Sequence, residues 1–130
     1  MAFPTVAGFK ELVQMAIGAA SDAWTHIAVG TGTGQSASST TLAAESSSLG
    51  MSRAAATMSA VTTTETNDTV QATKTFTATG TVTITEAGLF NNATLDTGDM
   101  LMYGELSPSA AMVNGDTLAI TLKVQIKAAA

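Results

Sequence analysis

Cysteine is absent from this chain of 130 residues, and aromatic and charged residues and proline are scarce. Without cysteine there are no disulfide bonds and no thiolate metal sites, and no compartment is indicated. Charged residues make up 12% of the chain, against roughly a quarter in an ordinary globular protein. No apolar run is long enough for a membrane span. Lys10 and Glu11 interrupt the first apolar stretch, so we expect no signal peptide.

Positive charge is too sparse to bind a polyanion. The net charge is −5 and the isoelectric point is about 4.5. The five basic residues form no run along the chain, and they are Lys10, Arg53, Lys74, Lys123 and Lys127. We therefore expect no nucleic-acid partner and no membrane partner.

Small aliphatic residues, threonine and serine take the place of the missing charge. Hydrophobic residues amount to 45% but aromatic residues to only 5%. Threonine-rich sequence favours extended, hydrogen-bonded β structure over helix. The length suits a single domain with its own core. A surface with few charges also presents few obstacles to packing against other subunits.

The first 20 residues form a separate helical segment in this interpretation. Apolar residues recur at helical spacing between Pro4 and Gly18, at Val6, Phe9, Val13 and Ala16/Ile17. Thr5 is the expected N-cap, and Gly18 is expected to end the helix. Because an isolated helix of this length is marginal in water, it must dock on its own sheet or on a neighbouring subunit.

Residues 21–130 are predicted to be a single β domain. The predicted strands are Trp24–Val29, Met51–Val61, Val70–Ala78, Gly80–Phe90, Met100–Leu106 and Asp116–Lys127, and Thr41–Ser46 is predicted to be one helical turn. The spacing of six to eight strands and their turns predicts an all-β fold, either a β-sandwich or a jelly-roll-like barrel, with one N-terminal helix.

The turn signals and one long alternation set expectations for how the strands connect. Thr79–Gly80 is expected to be a tight connection, Pro108 to end its strand, and Asn114–Gly115 to close a hairpin. The alternation of the last strand is the cleanest in the chain, with Leu118, Ile120, Leu122, Val124 and Ile126 on one face. We expect that strand to be central or to face the core across the sandwich.

The stretch from Gly80 to Asn92 contains a break in its alternation. The apolar residues before and after Glu86 have opposite parity, which puts this carboxylate on the apolar face. One extra residue in a bulge near Glu86–Gly88 would restore the pattern, with Gly88 at positive φ. Glu86 then needs a partner, because an unpaired buried carboxylate is costly. We interpret both residues as structural rather than catalytic.

The sequence offers little that could carry out chemistry or hold a cofactor. His26, the single histidine, is interpreted as structural, and no Gly-x-Ser-x-Gly elbow occurs. The glycines of 30–34 lack the third glycine of a dinucleotide fingerprint, since Gln35 stands there. Asp96 and Asp99 are expected to lie in a solvated loop rather than in a calcium site. We therefore predict a protein that is not an enzyme, with no catalytic residue, cofactor or metal.

Several segments together carry a resemblance to a known class of proteins. They are Ile27–Gly32, Thr41–Glu45 with Arg53, Ile84–Asn91, Met100–Met102, Leu106–Pro108 and Gly115–Leu118. In this order they resemble small β-rich structural proteins of tailed bacteriophages, of the tail-fibre, collar-like or capsid decoration kind. The resemblance implies a non-enzymatic virion component, and a homotrimer. It also pairs Glu45 with Arg53, which are either a structural ion pair or two unrelated surface charges.

Three functions follow as hypotheses. The first is a capsid decoration (cement) protein that binds itself and the major capsid protein at the capsid surface. The second is a tail, neck or baseplate adaptor or fibre-associated protein. The third is a carbohydrate-binding β-sandwich module or a hydrolase, which the few aromatic residues disfavour. Assembly contacts are predicted at Phe3, Val6, Phe9 and Val13 and at Thr31 and Thr33, within a loop (31–40) whose composition is typical of a flexible arm.

Overall fold

The computed structural model describes residues 2–20 and 23–127. Within these ranges the chain forms eight strands and one helix. In chain order they are β1 (Phe3–Pro4), α1 (Val6–Ala16), β2 (His26–Gly30), β3 (Ala54–Ala55), β4 (Thr57–Val61), β5 (Thr69–Thr77), β6 (Val82–Phe90), β7 (Met100–Met112) and β8 (Thr117–Gln125).

The strands form two antiparallel sheets. One has the order β1-β7-β6-β2-β3, and the other has the order β4-β5-β8. Buried aliphatic side chains from both sheets share one apolar cluster, which includes Ile27 and Leu89 from the first sheet and Ala72 and Leu122 from the second. The prediction of an all-β sandwich with one N-terminal helix is therefore confirmed.

Strand β8 supplies one face of this core. Its residues alternate between exposed and buried, with Ile120, Leu122 and Val124 all less than 10% exposed. Among the described strands it pairs with β5 alone, so it lies at the edge of its sheet. Its buried residues face the core. Ile126 was predicted to belong to the buried face but does not, because it follows the last residue of the strand and is 55% exposed.

This alternation predicts unequal costs for two neighbouring substitutions in β8. Leu122→Ala should lower the free energy of unfolding by about 2–5 kcal/mol, because it leaves a cavity in the core. Thr121→Ala, one residue away on the exposed face, should change it by less than about 0.5 kcal/mol. Chemical denaturation of the two variants measures both values. Equal costs would mean that the outer face of β8 is buried as well.

The two predicted short connections join the sheets rather than close hairpins. Strands β5 and β6 flank Thr79–Gly80 but lie in different sheets, and so do β7 and β8, which flank Asn114–Gly115. A turn does form at Asn114–Gly115. Its backbone bonds with the end of β5, since Ala78 O accepts from Gly115 N and Ala78 N donates to Asp116 O. The hairpin prediction is wrong because these backbone groups pair with β5.

Pro108 does not end its strand, because β7 continues from Met100 to Met112. Between Glu105 and Ala110 the register of β7 against β6 is irregular: these residues lie opposite Glu86 and Ile84, which are only two residues apart. Pro108 therefore lies in a bulged segment that is not paired with β6, where the missing proline N–H removes no ladder hydrogen bond.

Two other local predictions differ from the structure. Residues 41–46 form no helical turn but an irregular segment with one β-bridge, between Gly30 and Glu45. The region 51–61, predicted as one strand, is divided into β3 and β4, which belong to different sheets. Residues 45–46 and β3 pair with β2, which is remote in the chain, and a local pattern does not specify such a partner.

Helix α1 begins and ends as predicted and docks on the sandwich. The Oγ1 atom of Thr5 caps it by accepting from Gly8 N at 2.9 Å, and Gly18 after its end has a φ of 77°. Leu12 and Met15 pack against the core cluster. A Cβ atom on Gly8 would lie 2.7 Å from Leu101 Cα, so this glycine allows the helix to approach β7 closely. The division into a helical segment 1–20 and a β domain 21–130 remains a prediction.

Candidate functional site

Glu86 is the most completely enclosed ionisable residue near the loop that follows β2. Its side chain is 0% exposed. Oε1 accepts from Ala44 N at 2.8 Å and from Gly32 N at 3.1 Å, and Oε2 accepts from Gln35 Nε2 at 2.8 Å and from Ala43 N at 3.0 Å. The partners that a buried carboxylate requires are thus amide groups of two loop segments. The four bonds tie both segments to β6.

The break in alternation around Glu86 is real, but its geometry differs from the prediction. Ile84 and Ala87 have opposite parity, yet both belong to the core cluster. The register against β7 is irregular between Ile84 and Glu86, and the additional residues lie in β7. The predicted bulge is therefore formed by the partner strand, next to Glu86 rather than at Gly88.

The prediction that Gly88 has a positive φ is wrong, because it lies in regular β structure opposite Ala28 and Tyr103. Glycine is required here by a close approach of side chains instead. A Cβ atom at this position would lie 2.8 Å from Met100 Sδ and 3.2 Å from Leu42 Cδ2. The end of β6 is covered on both faces, so no parity rule applies to it.

A second carboxylate holds the same loop from the neighbouring strand. Glu105 of β7 lies opposite Glu86 in the register, and its Oε1 accepts from Gly34 N at 2.8 Å and from Gln35 N at 3.0 Å. Two acidic residues opposite each other normally repel. Here each accepts several N–H groups of the loop, which stabilise its negative charge.

The loop of residues 31–40 is therefore fixed at several points. Besides the two carboxylates, Ala37 O accepts from Val6 N at 2.8 Å and Thr85 Oγ1 donates to Gly32 O at 2.6 Å. The expectation of a flexible arm is wrong for this protein, because the backbone amides of the glycines give the loop hydrogen-bond partners that its composition does not reveal. Thr31 and Thr33 remain exposed.

The structure brings Glu45 and Arg53 together. Arg53 Nη2 lies 2.7 Å from Glu45 Oε1, and Arg53 Nε lies 3.0 Å from Oε2, which makes the pair bidentate. The side chain of Arg53 is 2% exposed and that of Glu45 is 0% exposed. Nη1 of Arg53 also donates to Asn92 O and Thr97 O, and the guanidinium lies 3.9 Å from the centre of the Phe90 ring. This buried pair joins three segments of the chain.

Apolar side chains are exposed along the outer face of α1. The exposed fractions are 49% for Val6, 50% for Phe9, 58% for Val13 and 70% for Ile17, and Phe3 ahead of the helix is 49% exposed. Of the predicted assembly contacts, Val6, Phe9 and Val13 lie on this surface, which we name the outer helix face. Phe3 lies on β1 instead, with its ring 5.7 Å from that of Tyr103. The helix docks instead through Gly8, Leu12 and Met15.

The remaining polar residues form no reactive constellation in the part of the chain that is described. His26 is half-buried, and its Nδ1 lies 2.9 Å from Thr25 Oγ1. Among residues 2–20 and 23–127, no group of three or more histidine or acidic side chains could hold a metal ion. No helix in these ranges is long and apolar enough to cross a membrane. Trp24, the only tryptophan, is 7% exposed and donates to Asp99 O.

Asp68 is a structural carboxylate that the sequence did not single out. It lies in the turn between β4 and β5 and accepts from the backbone N–H groups of Thr63, Thr64 and Glu65. Gln125 Nε2 also donates to it at 2.6 Å. The bond from Glu65 N is the largest cause of a pKa well below the ordinary aspartate value. Aspartate at the end of a Thr-rich turn is a signal that could have identified it.

The lowered pKa of Asp68 predicts how stability depends on acid. Because the folded-state pKa lies below the unfolded value of about 3.8, the contribution of Asp68 is fully present above that value and is lost as the pH falls through the folded-state pKa. Asp68→Asn should therefore be destabilising at neutral pH and progressively less so below about pH 4. Denaturation of both proteins across this range measures the difference, and a constant difference would contradict the prediction.

One comparison with known proteins identifies a family. Residues 10–126 match the family model described as "Podophage GP4 fiber I protein gp80". No curated protein and no solved structure matched the chain. The matched range includes most of α1, both sheets from β2 to β8, the two loop-binding carboxylates and the buried ion pair. Since the match covers far more than half of the 130 residues, the chain belongs to the Podophage GP4 fiber I protein gp80 family.

Proposed function

We propose that the chain is a structural subunit of the fibre apparatus of a podophage virion, and that it works by holding protein surfaces in place rather than by catalysis. The family match over residues 10–126 is the observation that carries this proposal. Membership in a phage fibre family makes the chain a small virion structural protein. The exact place within the particle and the neighbours that it binds are the proposed part.

The polar interior of the protein supports a structural role. The carboxylate oxygens of Glu86 accept hydrogen bonds from groups of the same chain. The carboxylate of Glu45 is likewise paired within the chain, with Arg53. These interactions fix loops to the sheets and leave the two buried carboxylates no position from which to reach a substrate. A binding surface consisting of fixed loops and exposed apolar side chains is suited to permanent contacts with other virion proteins.

Capsid decoration is the second candidate. A compact single sandwich supports it, because the described strands include no long repetitive or fibrous extension. In this alternative the chain would bind the major capsid protein, with a homotrimer as the assembled unit. The fibre role is preferred because the family description names a fibre protein. A carbohydrate-binding role has less support, since Trp24 is buried and cannot form a sugar platform.

Cryo-electron microscopy of the assembled particle, combined with quantitative mass spectrometry of virion proteins, tests the proposal. A fibre subunit should occupy a few symmetry-related positions in a fibre or at its attachment point, with a low copy number. A decoration protein should instead cover the capsid shell, with a copy number comparable to that of the major capsid protein. Density on the shell would replace the fibre proposal with the second candidate, and absence from the particle would contradict both.

A further inference from the structure

One edge of strand β8 is paired with β5, and the hydrogen bonds at the two ends of that ladder show which backbone groups take part. Ile126 N donates to Asp68 O at 2.8 Å, and Ala78 N donates to Asp116 O at 2.8 Å. Both pairs continue the register of β8 against β5. Because bonded and non-bonded pairs alternate along an antiparallel ladder, every second residue of β8 turns its N–H and C=O away from β5. These residues are Thr117, Ala119, Thr121 and Lys123.

The outward groups have no hydrogen-bond partner among residues 2–20 and 23–127. No backbone hydrogen bond other than those of the ladder involves Ala119 or Thr121, and the side chains of both residues are exposed. A row of free N–H and C=O groups on an extended strand is a template on which another strand can form. The outer edge of β8 therefore has the chemistry to accept an added strand.

The other sheet edges carry features that hinder such pairing, and β8 does not. The edge strands β1 and β3 of the first sheet have two residues each, and β7 next to β1 contains Pro108 and an irregular register. Strand β4 has five residues. Strand β8 has nine residues, no proline or glycine, no register shift and a single charge, at Lys123. Proteins usually shorten, bend or charge a strand edge that stays exposed, so the regular edge of β8 indicates that a partner covers it.

A groove of about 400 Å³ lies along this edge. Residues 118–122 of β8 line it, and so do residues 104–108 of β7, which belongs to the other sheet. Ala2 also lines this groove, and it lines the neighbouring groove beside Lys123 as well. The start of the chain thus separates the two grooves, and the space for an added strand runs along β8 from Leu118 to Leu122.

The lining of the groove determines what fits there. Leu106, Leu118 and Ile120 contribute aliphatic side chains, and the only charged lining residue is Glu105, whose Oε1 already accepts two bonds from the 31–40 loop. Successive side chains of an added strand alternate between the groove and solvent, so the inward ones must be aliphatic. Because both sheets line the groove, it fits a single extended chain. The edge of a folded sheet, such as β8 of a second copy, would bring its neighbouring strands against β7.

We propose that a single extended segment of another virion protein adds to the outer edge of β8 as a new strand. Its backbone bonds with the free N–H and C=O groups of Ala119 and Thr121, and its alternate, aliphatic side chains enter the groove between β8 and β7. The source of the segment rests on the proposed function of the chain as a virion subunit. The test uses the purified chain and a synthetic peptide, so the strand addition and the place in the virion can each fail without the other.

Fluorescence anisotropy of a labelled peptide measures the strand addition. The probe is a peptide of alternating threonine and valine with a lysine at each end, and the control peptide has proline in place of the central valine. The first peptide should bind the full chain saturably, and the control peptide should bind at least about tenfold more weakly, because proline lacks an N–H and disrupts an extended strand pairing. Absence of binding, or equal binding of the two peptides, would overturn the proposal.

Two substitutions in the protein locate the binding edge. Ala119→Pro removes an outward N–H of β8 and no bond to β5. Ala60→Pro is the matched control, because Ala60 is exposed and turns its backbone outward from β4, at the opposite edge of the same sheet. Ala119→Pro should weaken peptide binding at least about tenfold, and Ala60→Pro should leave it unchanged. Circular dichroism and the unfolding transition check that both variants are folded, and equal effects of the two substitutions would contradict the proposal.

Amide hydrogen exchange of the natural protein provides a second test that needs no substitution. In the free chain the N–H groups of Ile120 and Leu122 should exchange slowly, because they bond to β5, and those of Ala119 and Thr121 should exchange rapidly. Saturation with the peptide should slow exchange at Ala119 and Thr121. Unchanged exchange at these two residues would place the peptide elsewhere and overturn the proposal. Slower exchange there when the chain alone is concentrated would assign the edge to a second copy, which also overturns it.

Discussion

Glu86→Gln is expected to lower the free energy of unfolding by about 2–4 kcal/mol. Each carboxylate oxygen accepts two N–H groups, so an amide NH₂ at either position would face two donors. Those donors would then be left without an acceptor in an enclosed environment, which costs the desolvation of each group. Chemical denaturation monitored by the fluorescence of Trp24 measures the change.

Glu105→Gln provides the matched control on the neighbouring strand. Glu105 is exposed, and one oxygen, Oε1, accepts both bonds from Gly34 N and Gln35 N. A glutamine can place its own carbonyl oxygen there and turn its NH₂ group to water. The cost should therefore stay below about 1 kcal/mol. Equal losses in the two variants would mean that the charge of Glu86, and not the number of its acceptor positions, determines its contribution.

Arg53→Met is expected to destabilise the protein by about 3–5 kcal/mol, because it leaves the buried carboxylate of Glu45 without its counter-charge. Two loop carbonyl groups, Asn92 O and Thr97 O, also lose their donor. Methionine retains part of the packing on Phe90, so the loss reports mainly on charge and hydrogen bonding. Equilibrium unfolding in denaturant measures the change.

A double-mutant cycle isolates the ion pair within this effect. Glu45→Gln combined with Arg53→Met should cost clearly less than the two single substitutions added together, since the double variant buries no unpaired charge. Lys123→Met, on the exposed face of β8, controls for the loss of a cation and should change stability by less than about 0.5 kcal/mol. If the free-energy changes of the two single substitutions simply add, Glu45 and Arg53 are not coupled and act separately.

The local elements could be predicted from the sequence wherever one periodicity acts alone. The alternation from Leu118 to Val124 gave the buried face of β8, and Thr5 and Gly18 gave the limits of the helix. Apolar spacing also identified the outer stripe of α1. That stripe turned out to face solvent, because a smaller set of residues, Gly8, Leu12 and Met15, forms the docked face.

Long-range pairing could not be predicted in the same way. A turn signal such as Asn114–Gly115 specifies a change of direction but not the sheet to which the next strand belongs. The partners of Glu86 lie 42–54 residues away in the chain. Three of the four are backbone amides, which carry no side-chain signature that would reveal them. The sequence suggests a bulge at Gly88, because the actual reason for a glycine there, crowding by Met100 and Leu42, arises only after folding.

The attachment of the 31–40 loop has a consequence for how such a protein can change over generations. The atoms that fix the loop are the carboxylates of Glu86 and Glu105, the side-chain amide of Gln35 and several backbone amides, and neither Thr31 nor Thr33 contributes a side chain to these bonds. Thr31 and Thr33 point outward from that frame. Substitutions at these two positions can therefore change which neighbouring protein is contacted without altering the hydrogen bonds that hold the loop.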